Sequence, residues 1–131
     1  MIPKTATAEQ LPAATPVILV VEDDVLIRAA TAQYLRGQGY DVLEAVDVPE
    51  AVRMLQAMPA IRLVFSDIRL PGGMSGLDLW EIIKRDFPNM KVLFTSGVVA
   101  EDVLGHTGIT FVRKPYFLFE VERKIREALA P

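Results

Sequence analysis

The sequence predicts an α/β fold, a sandwich in which helices cover both faces of a mainly parallel, five-stranded sheet. Short runs of β-branched and aliphatic residues, such as Val17–Val21, are typical of strands that are buried on both faces. Segments with apolar residues at helical spacing alternate with these runs and give five strand–helix units, which we expect to be joined by right-handed crossovers. A chain of 131 residues has the size of one ordinary domain with its own core.

The first unit follows a segment without apolar periodicity. Residues 1–16 are rich in Ala, Thr and Pro, so we expect a flexible segment there and a single domain at residues 17–131. After the first strand, a helix is predicted over residues 24–36, with Gly37 and Gly39 as its C-terminal stop. Its apolar residues recur at helical spacing: Ile27, Ala30, Tyr34 and Leu35.

The remaining units repeat this pattern. A short strand is predicted at residues 42–43, and a helix follows that starts within residues 47–50 and ends before Pro59. The helix residues predicted to face the core are Ala51, Met54 and Leu55. A helix over residues 75–86 ends at residues 87–89, and its predicted buried stripe is Leu77, Trp80 and Ile83. The other elements are strands at residues 62–66, 91–95 and 110–112 and a last helix at about residues 117–129.

The composition excludes several classes of protein. With 14 basic and 17 acidic residues, the net charge of −3 offers no general attraction to nucleic acid or to an anionic membrane. The absence of cysteine excludes disulfides, thiolate metal sites and thiol nucleophiles. The apolar run near the N-terminus is too short to span a bilayer, and residues 1–10 are too polar for a secretory signal. We therefore expect a cytoplasmic protein that binds neither nucleic acid nor membranes directly.

Chemically active side chains stand at the ends of four predicted strands. Glu22 and Asp23 follow the first strand, Asp67 the third, Ser96 the fourth and Lys114 the fifth. Because the carboxyl ends of parallel strands meet at one edge of the sheet, these side chains should lie close together. Three neighbouring carboxylates repel one another unless a cation neutralises them, and an all-oxygen ligand set favours Mg²⁺ with open positions that suit a phosphoryl group.

Asp67 is the central residue of this edge. It ends an apolar strand, and Pro71-Gly72-Gly73 then forces a turn that keeps the carboxylate at the rim. A carboxylate in this position can be a nucleophile that forms an aspartyl phosphate, with Lys114 and Ser96 contacting the phosphoryl oxygens. Alternatively, Asp67 ends the strand and caps the turn that follows it, without any chemical role.

These residues resemble the receiver domain of two-component response regulators over residues 17–129. The match consists of the acidic pair Glu22-Asp23, Asp67 followed by Leu70-Pro71 and Gly76, Ser96 followed by Gly97, and Lys114-Pro115. The resemblance implies a flavodoxin-like, doubly wound (βα)5 sandwich with strand order 2-1-3-4-5, an order for which a member of this family is a known example. It also implies a phosphoacceptor that catalyses its own phosphorylation and slow dephosphorylation, and is not otherwise an enzyme.

The same resemblance assigns further roles to the site residues. Mg²⁺ would be held by Asp23, Asp67 and the backbone carbonyl of Arg69, and Glu22 would act mostly through water. Ser96 would move toward the phosphoryl group while the aromatic side chain of the fifth strand, Phe111 here, turns inward. A cis Lys114–Pro115 bond would aim the Lys114 amine at the site.

The resemblance also implies the partners. The phosphoryl donor would be a histidine kinase or a histidine phosphotransfer protein, and the switched domain would control a downstream protein effector, with a homodimer as one possible form.

Three features depart from the family pattern. Gly72-Gly73 makes the loop after Asp67 one residue longer than usual. Only 13 residues separate Gly97 from Phe111, so a helix between the fourth and fifth strands should be short or irregular. Apolar Val98 cannot orient the water that would hydrolyse the phosphoryl group, which predicts slow self-dephosphorylation.

Two other functions are compatible with parts of this pattern. A pseudo-receiver, which acts only as a binding or dimerisation module, would share the fold but usually lacks Asp67, the acidic pair or Lys114. A hydrolase of the haloacid dehalogenase kind would need a second Asp two residues after the first, and position 69 is Arg. Asp24 is expected to cap the first helix instead of binding metal, and His106 lies in a predicted loop without a catalytic role.

Overall fold

The computed structural model describes residues 15–97 and 109–131, which contain five strands and four helices. The strands are β1 (Val17–Val21), β2 (Asp41–Ala45), β3 (Ile61–Asp67), β4 (Lys91–Ser96) and β5 (Thr110–Arg113). The helices are α1 (Val25–Gly37), α2 (Val48–Ala57), α3 (Gly76–Asp86) and α4 (Leu118–Leu129). Each predicted element within the described residues is present, with ends that differ from the prediction by one or two residues.

The five strands form a single parallel sheet in the order β2-β1-β3-β4-β5. This confirms the predicted fold class, the doubly wound flavodoxin-like arrangement and the strand order. The chain moves outward from β1 to β2 on one side and from β3 to β5 on the other, so the order reverses between β1 and β3. Ligands of open parallel sheets bind at the carboxyl ends of the strands near such a reversal.

Alternate residues of each strand pack on opposite faces of the sheet and build two apolar layers, because side chains in a strand point to alternate sides. On one face Ile18, Val20, Leu63 and Phe65 pack with residues of α1 and α4, namely Ala32, Leu35, Val121 and Ile125. On the other face Leu19, Val21 and Val64 pack with residues of α2 and α3, namely Ala51, Leu55, Leu79 and Ile83. These layers fix the sheet and leave its edge free for polar groups.

Three helices begin at a residue whose side chain caps the N-terminus of the helix. The carboxylate of Asp24 accepts from the backbone N–H groups of Leu26 and Ile27, at 2.9 Å and 3.0 Å. Asp47 caps α2 and Ser75 caps α3 in the same way. Such caps satisfy N–H groups that have no partner within the helix and contribute about 1 kcal/mol each.

Two predicted helical stripes are partly wrong. Ile27 is 42% exposed and Ala30 is also exposed, whereas the fully buried residues of α1 are Thr31, Ala32 and Leu35. In α3, Leu79 is fully buried and the predicted Leu77 and Trp80 are half-buried. The start of α1 lies beside the polar edge of the sheet, and among residues 15–97 and 109–131 it stays exposed.

Some predictions fall outside the described residues. They are most of the predicted flexible segment, the helix expected between β4 and β5, and the roles of Val98 and His106. Within the part of the chain that the structure describes, no helix has the length and apolar character needed to cross a membrane.

Candidate functional site

The structure places the predicted polar residues at one edge of the sheet. Glu22 directly follows β1, Asp67 and Ser96 are the last residues of β3 and β4, and Lys114 directly follows β5. Because β1, β3, β4 and β5 are consecutive neighbours in the sheet, these four positions form one continuous row. Glu22, Asp67 and Ser96 are 6%, 7% and 5% exposed, whereas Asp23 is exposed to solvent.

The Asp67 carboxylate is held at both oxygens. The Lys114 ammonium donates to Oδ2 at 2.6 Å, and the backbone N–H of Arg69 donates to Oδ1 at 3.0 Å. The backbone N–H of Lys114 also donates to the Ser96 carbonyl at 2.8 Å, which ties the chain after β5 to the end of β4. The Lys114–Pro115 peptide bond is cis, the form that the resemblance implies. The prediction that Lys114 reaches the end of β3 agrees with this geometry.

The acidic segment after β1 is held by backbone contacts. The Glu22 N–H donates to the Ala45 carbonyl at 3.0 Å, and one Glu22 carboxylate oxygen accepts from the Asp24 N–H at 3.1 Å. Since the Asp24 carboxylate caps α1, the expectation that it is a cap agrees with the structure. Because Asp24 is used as a cap, the acidic residues of this segment that can face the site are Glu22 and Asp23.

Charge and burial act together on the titratable groups. Burial raises the pKa of Glu22 above its usual value, and the neighbouring Asp23 and Asp67 carboxylates raise it further. Burial lowers the pKa of Lys114, but its contact with Asp67 and the charges of Asp67 and Glu22 outweigh burial and leave the pKa raised. The Lys114 ammonium therefore stays charged at neutral pH beside carboxylates that repel one another.

The turn after β3 brings the start of α3 against Asp67. Gly72 and Gly73 have φ values of 86° and 81°, which glycine adopts without steric cost. The N–H of Gly76 donates to the Ile68 carbonyl at 2.7 Å. A Cβ on Gly76 would lie 2.6 Å from the Asp67 carbonyl oxygen, so only glycine fits. The motif identified Gly76, but the sequence did not show that it positions Asp67.

Ser96 and Phe111, the two residues of the switch hypothesis, lie on the neighbouring strands β4 and β5. Ser96 is buried at the end of β4, next to Asp67 in the row of strand ends. Phe111 pairs in register with Phe94 and is half-buried against a small apolar cluster that contains Ile68, Phe94 and Ile109. Their movement on phosphorylation stays a prediction.

The oxygen donors at this edge suit a magnesium ion. Among residues 15–97 and 109–131, no group of three or more Asp, Glu, His or Cys side chains is arranged to hold a metal. The Lys114 ammonium lies 2.6 Å from the Asp67 carboxylate and offsets its charge. The carboxylates that raise the pKa of Glu22 nevertheless favour a cation, and an all-oxygen set matches the preference of Mg²⁺. The donors therefore match Mg²⁺ by their chemical type, while the side chains described here do not converge on one point.

One residue of the site was not predicted from the sequence. Arg28, on α1, donates from Nη1 to the Glu22 carbonyl at 2.9 Å. Its Nε lies 3.3 Å from a carboxylate oxygen of Glu44, on β2. A single arginine in a helix gives no sequence signal of such a contact, since the two acceptors come together only in the folded sheet.

Comparisons with known proteins give consistent results. A family model described as the response regulator receiver domain matches residues 18–126. The chain is 29% identical over 118 residues to the sensor kinase CckA of Brucella abortus, a match that covers 86% of the chain and 12% of that kinase. The chain spans between 12% and 50% of the lengths of three curated relatives that it matches.

Solved structures agree with this match. The crystal structure of a response regulator receiver domain protein from Clostridium thermocellum has a TM-score of 0.80 and 27% identity, covering 87% of this chain and 94% of that one. A response regulator receiver protein from Pseudomonas putida gives a TM-score of 0.79 and 30% identity, covering 88% of this chain and 99% of that one.

Proposed function

The chain belongs to the response regulator receiver domain family of two-component systems, and we propose that Asp67 is its phosphoacceptor. The donor is a phosphohistidine on a histidine kinase or a histidine phosphotransfer protein. The observation that carries this proposal is the contact of 2.6 Å between the Lys114 ammonium and the buried Asp67 carboxylate. Lys114 follows β5 and reaches past β4 to the carboxylate at the end of β3, so it supplies a positive charge where a phosphoryl group would acquire negative charge.

In the proposed reaction, one carboxylate oxygen of Asp67 attacks the phosphorus as the bond from phosphorus to the histidine nitrogen breaks. The electron pair of that bond returns to the imidazole ring, and the products are an aspartyl phosphate and a free histidine side chain. Lys114 then contacts the phosphoryl oxygens in place of the carboxylate, and the Ser96 hydroxyl donates to another of them. The ends of β4 and β5 already place both residues beside Asp67, so only short movements are needed to reach the phosphoryl oxygens.

Magnesium is the proposed cofactor. Asp23, Asp67 and the backbone carbonyl of Arg69 would hold it, with Glu22 acting mostly through water. When bound, the ion offsets the negative charge that gathers between the acidic segment and the phosphoryl group. The chain's own contribution is to hold the carboxylates at this edge by the hydrogen bonds to the backbone of Glu22 and to the Asp67 carboxylate.

The surface beside the site suits a protein donor. Leu26 and Phe117 are 78% and 68% exposed, and each is next in sequence to residues that line a groove of about 510 Å³. The lining residues are Ile27, Ala30, Thr31, Lys114, Pro115, Tyr116 and Leu118. Exposed apolar groups of this kind mark interaction sites. Since Lys114 lines both this groove and the phosphoacceptor site, a protein bound here would lie next to Asp67.

The consequence of phosphorylation is a change of surface. The phosphoryl group releases Lys114 from its ion pair with the carboxylate and draws Ser96 toward the site. Phe111 then turns further into the apolar cluster that it now only partly enters. A downstream protein effector, or a second copy of the domain, reads this change. We place these exchanges in the cytoplasm.

Intact-protein mass spectrometry after incubation with acetyl phosphate tests the proposal. We expect the wild-type chain to gain one phosphoryl group in the presence of Mg²⁺ and none in EDTA, and Asp67→Asn to gain none in either buffer. Asp86→Asn is a matched control, since Asp86 is an aspartate at the other end of α3 whose carboxylate accepts from the neighbouring Arg85 side chain. A folded wild-type chain that gains no phosphoryl group from acetyl phosphate or from a kinase would favour the pseudo-receiver.

A further inference from the structure

We propose that Arg28 is a positioning residue that holds the acidic segment after β1 in the form that binds a divalent cation. The proposal rests on the function proposed above and adds a residue to which neither the sequence nor that function assigns a role. Arg28 bonds to the backbone carbonyl of Glu22 and to the carboxylate of Glu44. It acts through the backbone of Glu22.

The contacts of Arg28 join three elements. From α1, its Nη1 donates to the Glu22 carbonyl at 2.9 Å, and its Nε faces a Glu44 carboxylate oxygen at 3.3 Å. The Glu22 N–H donates to Ala45, the residue that follows Glu44 on β2. The N–H of Glu22 is thus bonded directly to the end of β2, and its carbonyl is linked to the end of β2 through Arg28. Only 15% of the Arg28 side chain is exposed, so water competes little for these bonds.

The Glu22 backbone determines where two acidic side chains point. Its carbonyl belongs to the peptide bond that leads to Asp23, and its carboxylate accepts from the Asp24 N–H at 3.1 Å. If Arg28 is removed, the Glu22–Asp23 peptide loses its only fixed donor in the described contacts and can rotate. Partners that orient metal ligands in this indirect way typically contribute ten- to a hundredfold to metal affinity.

A positioning role and a purely electrostatic role of Arg28 predict opposite changes in Mg²⁺ affinity when Arg28 is removed. Arg28 is a positive charge near a proposed cation site, so by charge alone its removal should tighten Mg²⁺ binding. Positioning predicts the reverse, namely that removal of Arg28 weakens Mg²⁺ binding although it removes a repulsive charge.

Arg36 offers a matched control. It also lies on α1 and also approaches Glu44, at 3.4 Å, but its other bond is to the Val42 carbonyl, at 2.9 Å, and not to the acidic segment. Arg36→Gln removes the same charge and the same kind of contact to Glu44. We expect it to leave the Mg²⁺ dissociation constant within about twofold of wild type, because exposed charges are screened by salt.

The experiment is an NMR titration of the amide signals with Mg²⁺ in wild type, Arg28→Gln, Arg28→Lys and Arg36→Gln. We expect the dissociation constant to rise about tenfold in Arg28→Gln. Arg28→Lys should weaken binding too, because a single ammonium keeps the charge but cannot serve both Glu22 and Glu44 as the guanidinium does. In metal-free protein, amide hydrogen exchange at Asp24 should accelerate in both Arg28 variants and not in Arg36→Gln.

Unchanged or tighter Mg²⁺ binding in folded Arg28→Gln would overturn the proposal, as would an equal loss in Arg36→Gln. If Arg28→Gln does not fold, Arg28→Lys decides instead, because it keeps the positive charge and should still weaken Mg²⁺ binding. The proposed function fails in a different way: the wild-type chain itself would then bind no Mg²⁺ and gain no phosphoryl group.

Discussion

Replacing Gly76 by alanine tests how tightly the start of α3 fixes the phosphoacceptor. The added Cβ would stand 2.6 Å from the Asp67 carbonyl oxygen and 2.7 Å from Ile68 Cα, with the Phe94 ring at 3.1 Å. The first two distances fall roughly 0.7–0.8 Å short of ordinary van der Waals contact. Both atoms belong to the backbone, so they cannot move aside as a flexible side chain would. Either α3 or the end of β3 must shift.

The cost follows from this geometry. Overpacking of this kind costs about 1–3 kcal/mol, and the gain in helix propensity from glycine to alanine offsets up to about 1 kcal/mol of it. Because the clash is with backbone, we expect a net loss of about 2 kcal/mol in the free energy of unfolding. A displacement approaching 1 Å at the reacting carboxylate should also slow phosphorylation, by about ten- to a hundredfold.

Two measurements check this prediction. Urea denaturation gives the free energy of unfolding, and mass spectrometry over time gives the rate of phosphorylation by acetyl phosphate. Gly37→Ala is the control, since Gly37 ends α1 and a Cβ there meets nothing within 4 Å. It should be neutral or slightly stabilising. A Gly76→Ala protein with wild-type stability and wild-type rate would refute the conclusion that this glycine positions Asp67.

Three further changes have definite expected outcomes. Thr95 is 2% exposed, and its hydroxyl has no hydrogen-bond partner among the described residues. Thr95→Val should therefore raise the free energy of unfolding by about 1 kcal/mol. A lower free energy of unfolding in urea denaturation would contradict this. Burial and the Glu122 carboxylate raise the pKa of Tyr40 to about 12 in the folded protein. Because the Tyr40 phenol of the unfolded chain ionises near pH 10, the free energy of unfolding falls as the pH rises from about 10 to 12. In Tyr40→Phe the free energy of unfolding should no longer fall over this pH range. If it falls as in wild type, groups other than Tyr40 cause the pH dependence. Lys114→Met should slow phosphorylation about a hundredfold in a folded protein, and an unchanged rate would remove Lys114 from the mechanism.

Features that depend on neighbours in the chain could be predicted from the sequence. The caps at Asp24 and Ser75 follow from a polar side chain placed just before an apolar helical pattern. The position of Asp67 follows from an apolar strand that ends in a turn of glycines. The meeting of Asp67 and Lys114 follows from the rule that carboxyl ends of parallel strands share one edge, once the strands are placed.

Features that depend on contacts between distant elements could not be predicted. Arg28 matters because the end of β2 and the acidic segment both lie within its reach, which the sequence does not show. Ile27 and Ala30 fit a buried helical stripe by spacing, but in the part of the chain that the structure describes both are exposed. The tight approach of Gly76 to Asp67 depends on the angle at which α3 meets the sheet.

The central claim is that the Asp67 carboxylate receives the phosphoryl group, and reductive trapping tests it most directly. Borohydride converts an acyl phosphate to an alcohol, so treatment of the phosphorylated protein followed by peptide mass mapping identifies the modified residue. We expect homoserine at position 67 in protein phosphorylated with Mg²⁺ present, and unmodified aspartate there when Mg²⁺ is withheld. A phosphorylated protein in which the trapped residue is any other carboxylate, or in which no residue is reduced, would contradict the claim.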